Sequence, residues 1–220
     1  MLHIYFSRTH LRMKSDQFEA LLSLLSPAQQ DRIRRYLRWE DAQNGLFGKL
    51  LLREALRDLA FDPQLIHQLS YSEYQRPYVA NQAFDFNISH TQGLVALVIS
   101  KQGKVGIDVE WRKEITDLKA FKRVYTDREW DTIRLASNIS TTFYQFWTRK
   151  EAAMKVIGKG FYLPAHELDV HEPILTHEGI QYHMQPIELH PEYTAHVAAD
   201  RVFAIQSLKE INYYTSSLPQ

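Results

Sequence analysis

The chain has 220 residues, enough for one sizeable domain or two small halves sharing an interface. Its apolar fraction of 45% is that of an ordinary folded protein, and 26 basic residues balance 26 acidic ones, which argues against a general nucleic-acid or membrane binder. Cysteine is absent, so disulfides and thiolate metal sites are excluded; with no apolar signal core in MLHIYFSRTHLRMK and no aliphatic run longer than LVALVI (94–99), a soluble cytoplasmic protein is expected.

In chain order, LHIYF reads as a strand and residues 16 to 25 as a helix. Ser26, Pro27 and Gln29 then form a capping box over a helix carrying RIRRYLR. Helical spacing turns Ile33 and Leu37 to the core and puts Arg32 and Arg35 on another face. AQNGLFGKLLLREALRDLA is a long helix whose Gly45 and Gly48 point to close packing. The strands LSYSEYQRPYV, FDFNIS and LVALVIS follow, and Lys101-Gln102-Gly103 is expected to turn the last back into KVGIDVEW as a hairpin.

In the second part, Thr116 is expected to cap a helix over DLKAFKRVY, and Thr126 with Glu129 to box DREWDTIRLA. Thr142 with Gln145 is expected to open FYQFWTRKEAAMKVIG, which Gly158 and Gly160 end. The last 60 residues read as strands and turns, such as TAHVAA and VFAIQSL. The expected fold is α+β: two similar, tightly packed halves in a pseudo-twofold arrangement, residues 1–105 and 106–220, each a small antiparallel sheet with a long helix.

Several groups of residues could carry chemistry. In VGIDVEW, Asp108 and Glu110 lie at i and i+2 and so share a strand face. Two adjacent carboxylates repel unless a cation, a base or a proton relieves them; the plain alternative is an exposed strand face. Glu151 and Lys155 lie one helical turn apart, with Trp147 a turn earlier, either a surface ion pair or part of a packed site. Asn87, Ser89 and His90 end a strand in FNISHTQG. The basic residues Arg32, Arg34, Arg35, Arg38 and Arg76 are either solvated or able to hold a phosphate through bidentate bonds.

Taken together, Gly106-Ile107-Asp108-Val109-Glu110 and, about 40 residues later, Trp147-Thr148-Arg149-Lys150-Glu151-Ala152-Ala153-Met154-Lys155 resemble the paired motifs of the Sfp-type 4'-phosphopantetheinyl transferases. FNISH upstream and GKGFYLP downstream extend the likeness in pieces from about residue 26 to residue 163. The resemblance implies transfer of the phosphopantetheine arm of coenzyme A to a serine of an apo acyl or peptidyl carrier protein, releasing adenosine 3',5'-bisphosphate. It implies magnesium on Asp108, Glu110 and Glu151, Glu151 as general base, and Lys155 beside the leaving phosphate. Arg32, Arg76 and His90 would hold phosphates of coenzyme A, the 3'-phosphate above all. Asn87 and Ser89 would orient the nucleotide end, with Asp108 and Lys155 also touching the co-substrate. The nucleotide is assigned to 1–105, and the metal, catalytic residues and carrier docking to 106–220.

Residues 116–130, basic at Lys119, Lys122 and Arg123, would meet an acidic carrier helix. The length resembles the monomeric two-half branch, with no nucleic-acid or membrane partner. Two departures stand out: Gln29 occupies a position where relatives often carry lysine, and Arg76 replaces the usual lysine before Pro77. The last 55 residues add no motif, and their His-Glu pairs at 166–167, 171–172 and 177–178 read as surface. The competing readings are a magnesium-dependent nuclease or phosphodiesterase, and a non-catalytic carrier-binding module.

Overall fold

The structure, a computed structural model, describes residues 1–215. Its elements run β1 (Leu2–Arg8), α1 (Ser15–Leu22), α2 (Pro27–Arg34), α3 (Trp39–Asp58), β2 (Leu69–Tyr71), β3 (Pro77–Val79), β4 (Asp85–Thr91), β5 (Leu94–Ser100) and β6 (Val105–Trp111). They continue with α4 (Asp127–Arg134), α5 (Ile139–Ile157), β7 (Ile174–His177), β8 (Ile180–Ile187), β9 (Tyr193–Ala199) and β10 (Ile205–Glu210). One sheet has the order β10-β1-β5-β4, another the order β6-β9-β8-β7, and β2 with β3 forms a short ribbon. This is the expected α+β architecture of two sheets, each with its long helix.

The layers follow from the side-chain alternation. Val95, Leu97 and Ile99 of β5 pack with Leu46, Leu50 and Leu51 of α3. Leu94, Ala96 and Val98 face the other way, against Val105, Ile107 and Val109 of β6 and Ala195 and Val197 of β9. A strand buried on both faces must be apolar at every position, hence the unbroken LVALVIS. The far face of the second sheet carries α5, through Ala152, Ala153 and Val156 against Tyr182, Met184 and Ala198. The order across the molecule is therefore helix, sheet, sheet, helix.

Several local expectations are corrected. β5 does not form a hairpin with β6; it pairs with β4 and β1, while β6 pairs with β9 in the other sheet. The turn at Gly103 (φ +74) carries the chain from one layer to the next. α2 stops at Arg34, so the helical period that buries Ile33 does not reach Leu37, which is fully exposed. α5 begins four residues before Thr142 would have started it as cap, with Asn138 Oδ1 accepting from Thr141 N–H at 3.0 Å. Residues Leu118–Val124 form a 3-10 turn capped by Asp117, not a helix capped by Thr116. The first sheet is not wholly antiparallel either: β10 returns to lie parallel beside β1, so the span 106–220 contributes a strand to the first sheet. Residues 216–220 of that span lie outside the described residues.

Two glycines permit the layers to close. A Cβ on Gly48 of α3 would stand 3.2 Å from Ile88 Cγ2 of β4. A Cβ on Gly106 of β6 would stand 2.3 Å from the Ala152 carbonyl oxygen, inside van der Waals contact, so only glycine lets α5 lie this close to β6.

The second half is held by a buried ion pair. Lys150 Nζ lies 2.7 Å from Glu129 Oε2 and donates to the carbonyls of Ala165 and Leu168 at 2.8 and 2.6 Å. Glu129 also accepts from the backbone N–H of Thr126 (2.9 Å) and Val170 (2.8 Å). Every polar atom of the pair is thus engaged, and it ties α4, α5 and the 165–170 segment together. Removing one partner strands the other charge. Lys150→Met is expected to destabilise the protein by about 3–5 kcal/mol, measured by urea denaturation, and adding Glu129→Leu should cost less than the sum of the two single changes, because the stranded charge is removed while the backbone groups it served stay unpaired.

Candidate active site

The sequence-nominated residues meet where β4, β6 and α5 converge. β6 is an edge strand, so the backbone N–H groups on its open side have no strand to accept them. β4 supplies side chains instead. Asp85 Oδ2 accepts from Val105 N–H at 2.8 Å and Asn87 Oδ1 from Ile107 N–H at 3.0 Å. Ser89 Oγ accepts from Val109 N–H and Thr91 Oγ1 from Trp111 N–H, each at 3.3 Å. The register works because side chains on one strand face and N–H groups on one strand edge both repeat every second residue. Asn87 and Ser89, expected at the nucleotide, are therefore the buried rungs of a ladder joining the two sheets.

The ladder fixes β6, and Gly106 lets α5 settle on it, which brings the charged groups together. Asp108 is buried; its Oδ1 accepts from Lys155 Nζ at 2.6 Å and from Ser89 Oγ–H at 2.9 Å. Ser89 Oγ also accepts from Lys155 Nζ at 3.0 Å. The other carboxylate oxygen of Asp108, Oδ2, is buried with no hydrogen-bond partner. Glu110 accepts from Thr91 Oγ1–H at 2.9 Å and from the Trp147 indole. Burial first, and then the neighbouring Asp108 charge, raise the pKa of both Glu110 and Glu151 above the ordinary carboxylate value, with Lys155 opposing.

This is an acid cluster with too little positive charge. An orphaned buried carboxylate oxygen beside two carboxyls whose pKa values are driven up is the environment a divalent cation relieves, and an all-oxygen donor set suits magnesium. The residues fit such an ion chemically. As they stand, however, no three of the described carboxylate or imidazole groups converge as a ready ligand cage, and Lys155 holds the near oxygen of Asp108.

The basic residues divide. Arg76, on the loop between β2 and β3, donates to Asp85 Oδ2 at 2.6 Å, to the Val105 carbonyl at 2.8 Å, to the Phe86 carbonyl at 3.2 Å and to the Lys155 carbonyl. Its fork is committed to protein acceptors from both halves, including one at the C-terminal end of α5, where the helix dipole favours a cation. The phosphate contact expected of Arg76 does not match this placement. Arg32 is exposed, with its guanidinium 4.5 Å above the Tyr71 ring. His90 points off β4 where solvent reaches it, yet it is hemmed in enough by protein that desolvation, with Lys155, lowers its pKa. Beside it a cavity of about 570 Å³ opens between the halves, lined by Arg38, Asp41, Asn44, Thr91, Trp111 and Tyr193 among others.

Sequence reading passed over Asp85, Thr91 and His196. The first two were signalled by the strict period-two run of polar residues in DFNISHT. His196 of β9, opposite Asp108 in the ladder, gave no signal. It is buried, with its pKa depressed to about 3 by desolvation, and its Nδ1 lies 2.8 Å from Thr148 Oγ1 of α5. The Thr148 hydroxyl donates to the Tyr144 carbonyl at 2.7 Å, so Nδ1 of the neutral ring carries the proton and donates to Thr148.

Residues 104–206 match the profile of the 4'-phosphopantetheinyl transferase superfamily, and residues 12–102 that of the 4'-phosphopantetheinyl transferase N-terminal region. The chain is 33% identical over 168 residues to 4'-phosphopantetheinyl transferase gsp of Aneurinibacillus migulanus, covering 74% of this chain and 69% of that one. It is 31% identical over 171 residues to 4'-phosphopantetheinyl transferase Sfp of Bacillus subtilis (strain 168), covering 76% and 74%. With 4'-phosphopantetheinyl transferase ffp of Bacillus subtilis the identity is 26% over 220 residues, 96% of each chain. The chain belongs to the 4'-phosphopantetheinyl transferase superfamily.

The clamp role of Arg76 has a direct consequence for stability. Arg76→Ala removes the guanidinium donor from Asp85 and from three partly buried carbonyls and is expected to cost about 2–4 kcal/mol, measured as a lowered denaturation midpoint. Arg76→Lys should recover only part of this, since an ammonium cannot reproduce the planar fork.

Proposed function

We propose that this protein transfers the 4'-phosphopantetheine arm of coenzyme A to a serine hydroxyl of an apo acyl or peptidyl carrier protein, releasing adenosine 3',5'-bisphosphate. The observation that carries the mechanism is the cluster of Asp108, Glu110, Glu151 and Lys155, with an unpartnered Asp108 oxygen and two carboxyls of raised pKa. Asp108, Glu110 and Glu151 are the residues that would hold magnesium. When bound, the ion supplies positive charge to the pyrophosphate oxygens.

The carrier serine oxygen forms a bond to the phosphorus bearing the pantetheine arm, and the bond from that phosphorus to the bridging oxygen breaks. Glu151 takes the serine proton, directly or through one water. Lys155, whose half-buried ammonium is bonded to Asp108 Oδ1, would move to the departing phosphate as charge develops there. Arg32 and His90 face the phosphates of coenzyme A, while Arg76, Asn87 and Ser89 act by holding β6 and α5 in place. Residues 1–105 bind the nucleotide end, and 106–220 carry the acid cluster and the carrier surface. No helix is long and apolar enough to cross a membrane among the described residues. The absence of cysteine and the two-sheet architecture support reading the protein as a cytoplasmic monomer.

The nuclease reading has less support, because the neutral net charge offers no electrostatic footprint for a polyanion. A non-catalytic carrier-binding role leaves the strained acid cluster without a purpose. Incubation with coenzyme A, magnesium and an apo carrier protein separates the three readings: only transfer adds the phosphopantetheine mass to the carrier. Unchanged transfer in excess chelator would remove the metal from the scheme.

Glu151 accepts a proton only when ionised, and its pKa is raised, so the base is lost as pH falls through a value above the ordinary 4.5. The acid limb of kcat/KM should therefore lie above pH 4.5. Glu151→Gln should lower turnover by about a hundredfold to ten-thousandfold while the protein stays folded by circular dichroism. Near-normal turnover of that variant would exclude both its base and its ligand role.

The carrier surface is read on the 3-10 turn Leu118–Val124 and its continuation to residue 130. Phe121 is pinned to Phe143 and Trp147 at ring distances of 5.0 and 5.9 Å, which leaves Lys119, Lys122 and Arg123 exposed. Exposed basic residues steer an acidic partner mainly through the association rate, and salt weakens the effect. Reversing charge at Lys119 and Lys122 should raise KM for the carrier at low salt, less so as salt is added, with kcat and coenzyme A affinity unchanged. A carrier KM that does not move at low salt would take this surface out of the scheme.

A further inference from the structure

His196 is a polar residue in a layer that small apolar residues would fill. Where α5 meets the second sheet, the contact is made by Ala152 and Ala153 of the helix and Ala198 of β9, all fully buried, and Gly106 closes it. His196 shares a strand face with Ala198. It is buried, as is Thr148 of α5, and the two side chains meet at 2.8 Å. Nδ1–H of His196 donates to Thr148 Oγ1, whose own proton goes to the Tyr144 carbonyl. Desolvation, and then the Arg149 charge, depress the ring's pKa to about 3, so it is neutral near pH 7. It is neither acid nor base there, and what its bond adds is a defined geometry.

The placement of that bond gives it a role beyond packing. His196 of β9 stands directly opposite Asp108 of β6, so their side chains leave the same sheet face as neighbours. On α5, Thr148 and Lys155 lie seven residues apart, two turns along one stripe and about 10 Å along the axis. Asp108 Oδ1 holds Lys155 at 2.6 Å, and His196 holds Thr148 at 2.8 Å. Two bonds at two turns of one stripe fix both the rotation and the slide of α5 over the sheet. Glu151 lies between them. In the transfer step Lys155 turns from Asp108 to the departing phosphate, so one of these bonds opens while the serine proton is being taken. The bond from His196 to Thr148 stays closed.

We propose that His196 is a positioning residue: through Thr148 it keeps α5, and with it Glu151, in place over β6 while Lys155 moves to the leaving phosphate. The proposal rests on the transferase reading above. It accounts for a buried polar pair next to the acid cluster, in a layer where alanine on both sides would also pack. A displacement of about 1 Å at a reacting group can cost about a hundredfold in rate, so a bond remote from the substrate can govern turnover.

The test uses the full chain with His196→Leu, Thr148→Val, the double variant, and His196→Asn, whose amide N–H can stand where Nδ1–H stood. Each single apolar change is expected to lower kcat about tenfold to a hundredfold, with KM for coenzyme A unchanged. The double variant leaves no polar atom of the pair unpaired. Its denaturation midpoint should return toward that of the unaltered protein, while kcat stays as low as in the single variants. His196→Asn should restore most of the turnover. A merely structural pair predicts instead that kcat recovers together with stability in the double variant. That result would overturn the proposal, as would an unchanged kcat in folded His196→Leu. If the unaltered chain transfers nothing to any carrier, the transferase reading fails, and a crystal structure of His196→Leu then decides the positioning role by itself. Glu151 displaced relative to Asp108 supports it, and an unmoved Glu151 ends it.

Discussion

The open edge of β6 must be satisfied, and the way β4 satisfies it governs the rest of the molecule. A backbone edge placed between two packed sheets cannot bond to water at every position, and a covering strand would leave no room for a cleft. Polar side chains at alternate positions of β4 accept the N–H groups instead. The two sheets are thereby held in register while the faces beside the seam stay free for charged groups. Arg76 reinforces the seam, bonding to Asp85, to the Phe86 and Val105 carbonyls and to the end of α5 with one guanidinium. A planar fork suits a point where three elements must be fixed together.

The acid cluster sits on that rigid arrangement. Asp108, Glu110 and Glu151 stand on a strand and a helix that cannot separate, because the ladder holds one and the Gly106 contact holds the other. Their mutual repulsion is relieved only in part by Lys155. On the proposed reading, the same repulsion draws in a cation and raises the pKa of the base toward the range where proton transfer is efficient. Behind the cluster, the buried bonds from Lys150 to Glu129 and from His196 to Thr148 anchor α5 on both sides of Glu151.

The arginine and lysine residues show how one residue type can serve different purposes. Arg76 and Lys150 are surrounded by acceptors and act in the architecture. Arg32 and Lys49 have no acidic partner among the described residues. Sequence alone lists all four as cations. Only their surroundings separate a clamp from a cation with no acidic partner.

By itself the sequence determined the α+β class, the long helices, the unbroken apolar strand LVALVIS, and the grouping of Asp108, Glu110, Glu151 and Lys155. These are set by short-range periodicity and by motif spacing, both of which are local properties of the chain. Tertiary structure decided the rest. The expected hairpin between β5 and β6 failed because the partner of β6 lies about 90 residues away in β9. The helical pattern through Leu37 failed because α2 ends at Arg34, where the chain turns into α3. Asn87, Ser89 and Arg76 were expected at the co-substrate. Their bonds in the fold run to backbone groups of a strand 20 residues or more along the chain, for Ser89 also to the Asp108 and Lys155 side chains, and for Arg76 also to Asp85 and to a helix 79 residues away. Hydrogen bonds between elements so distant in sequence leave no periodic trace, so only the assembled fold could assign them.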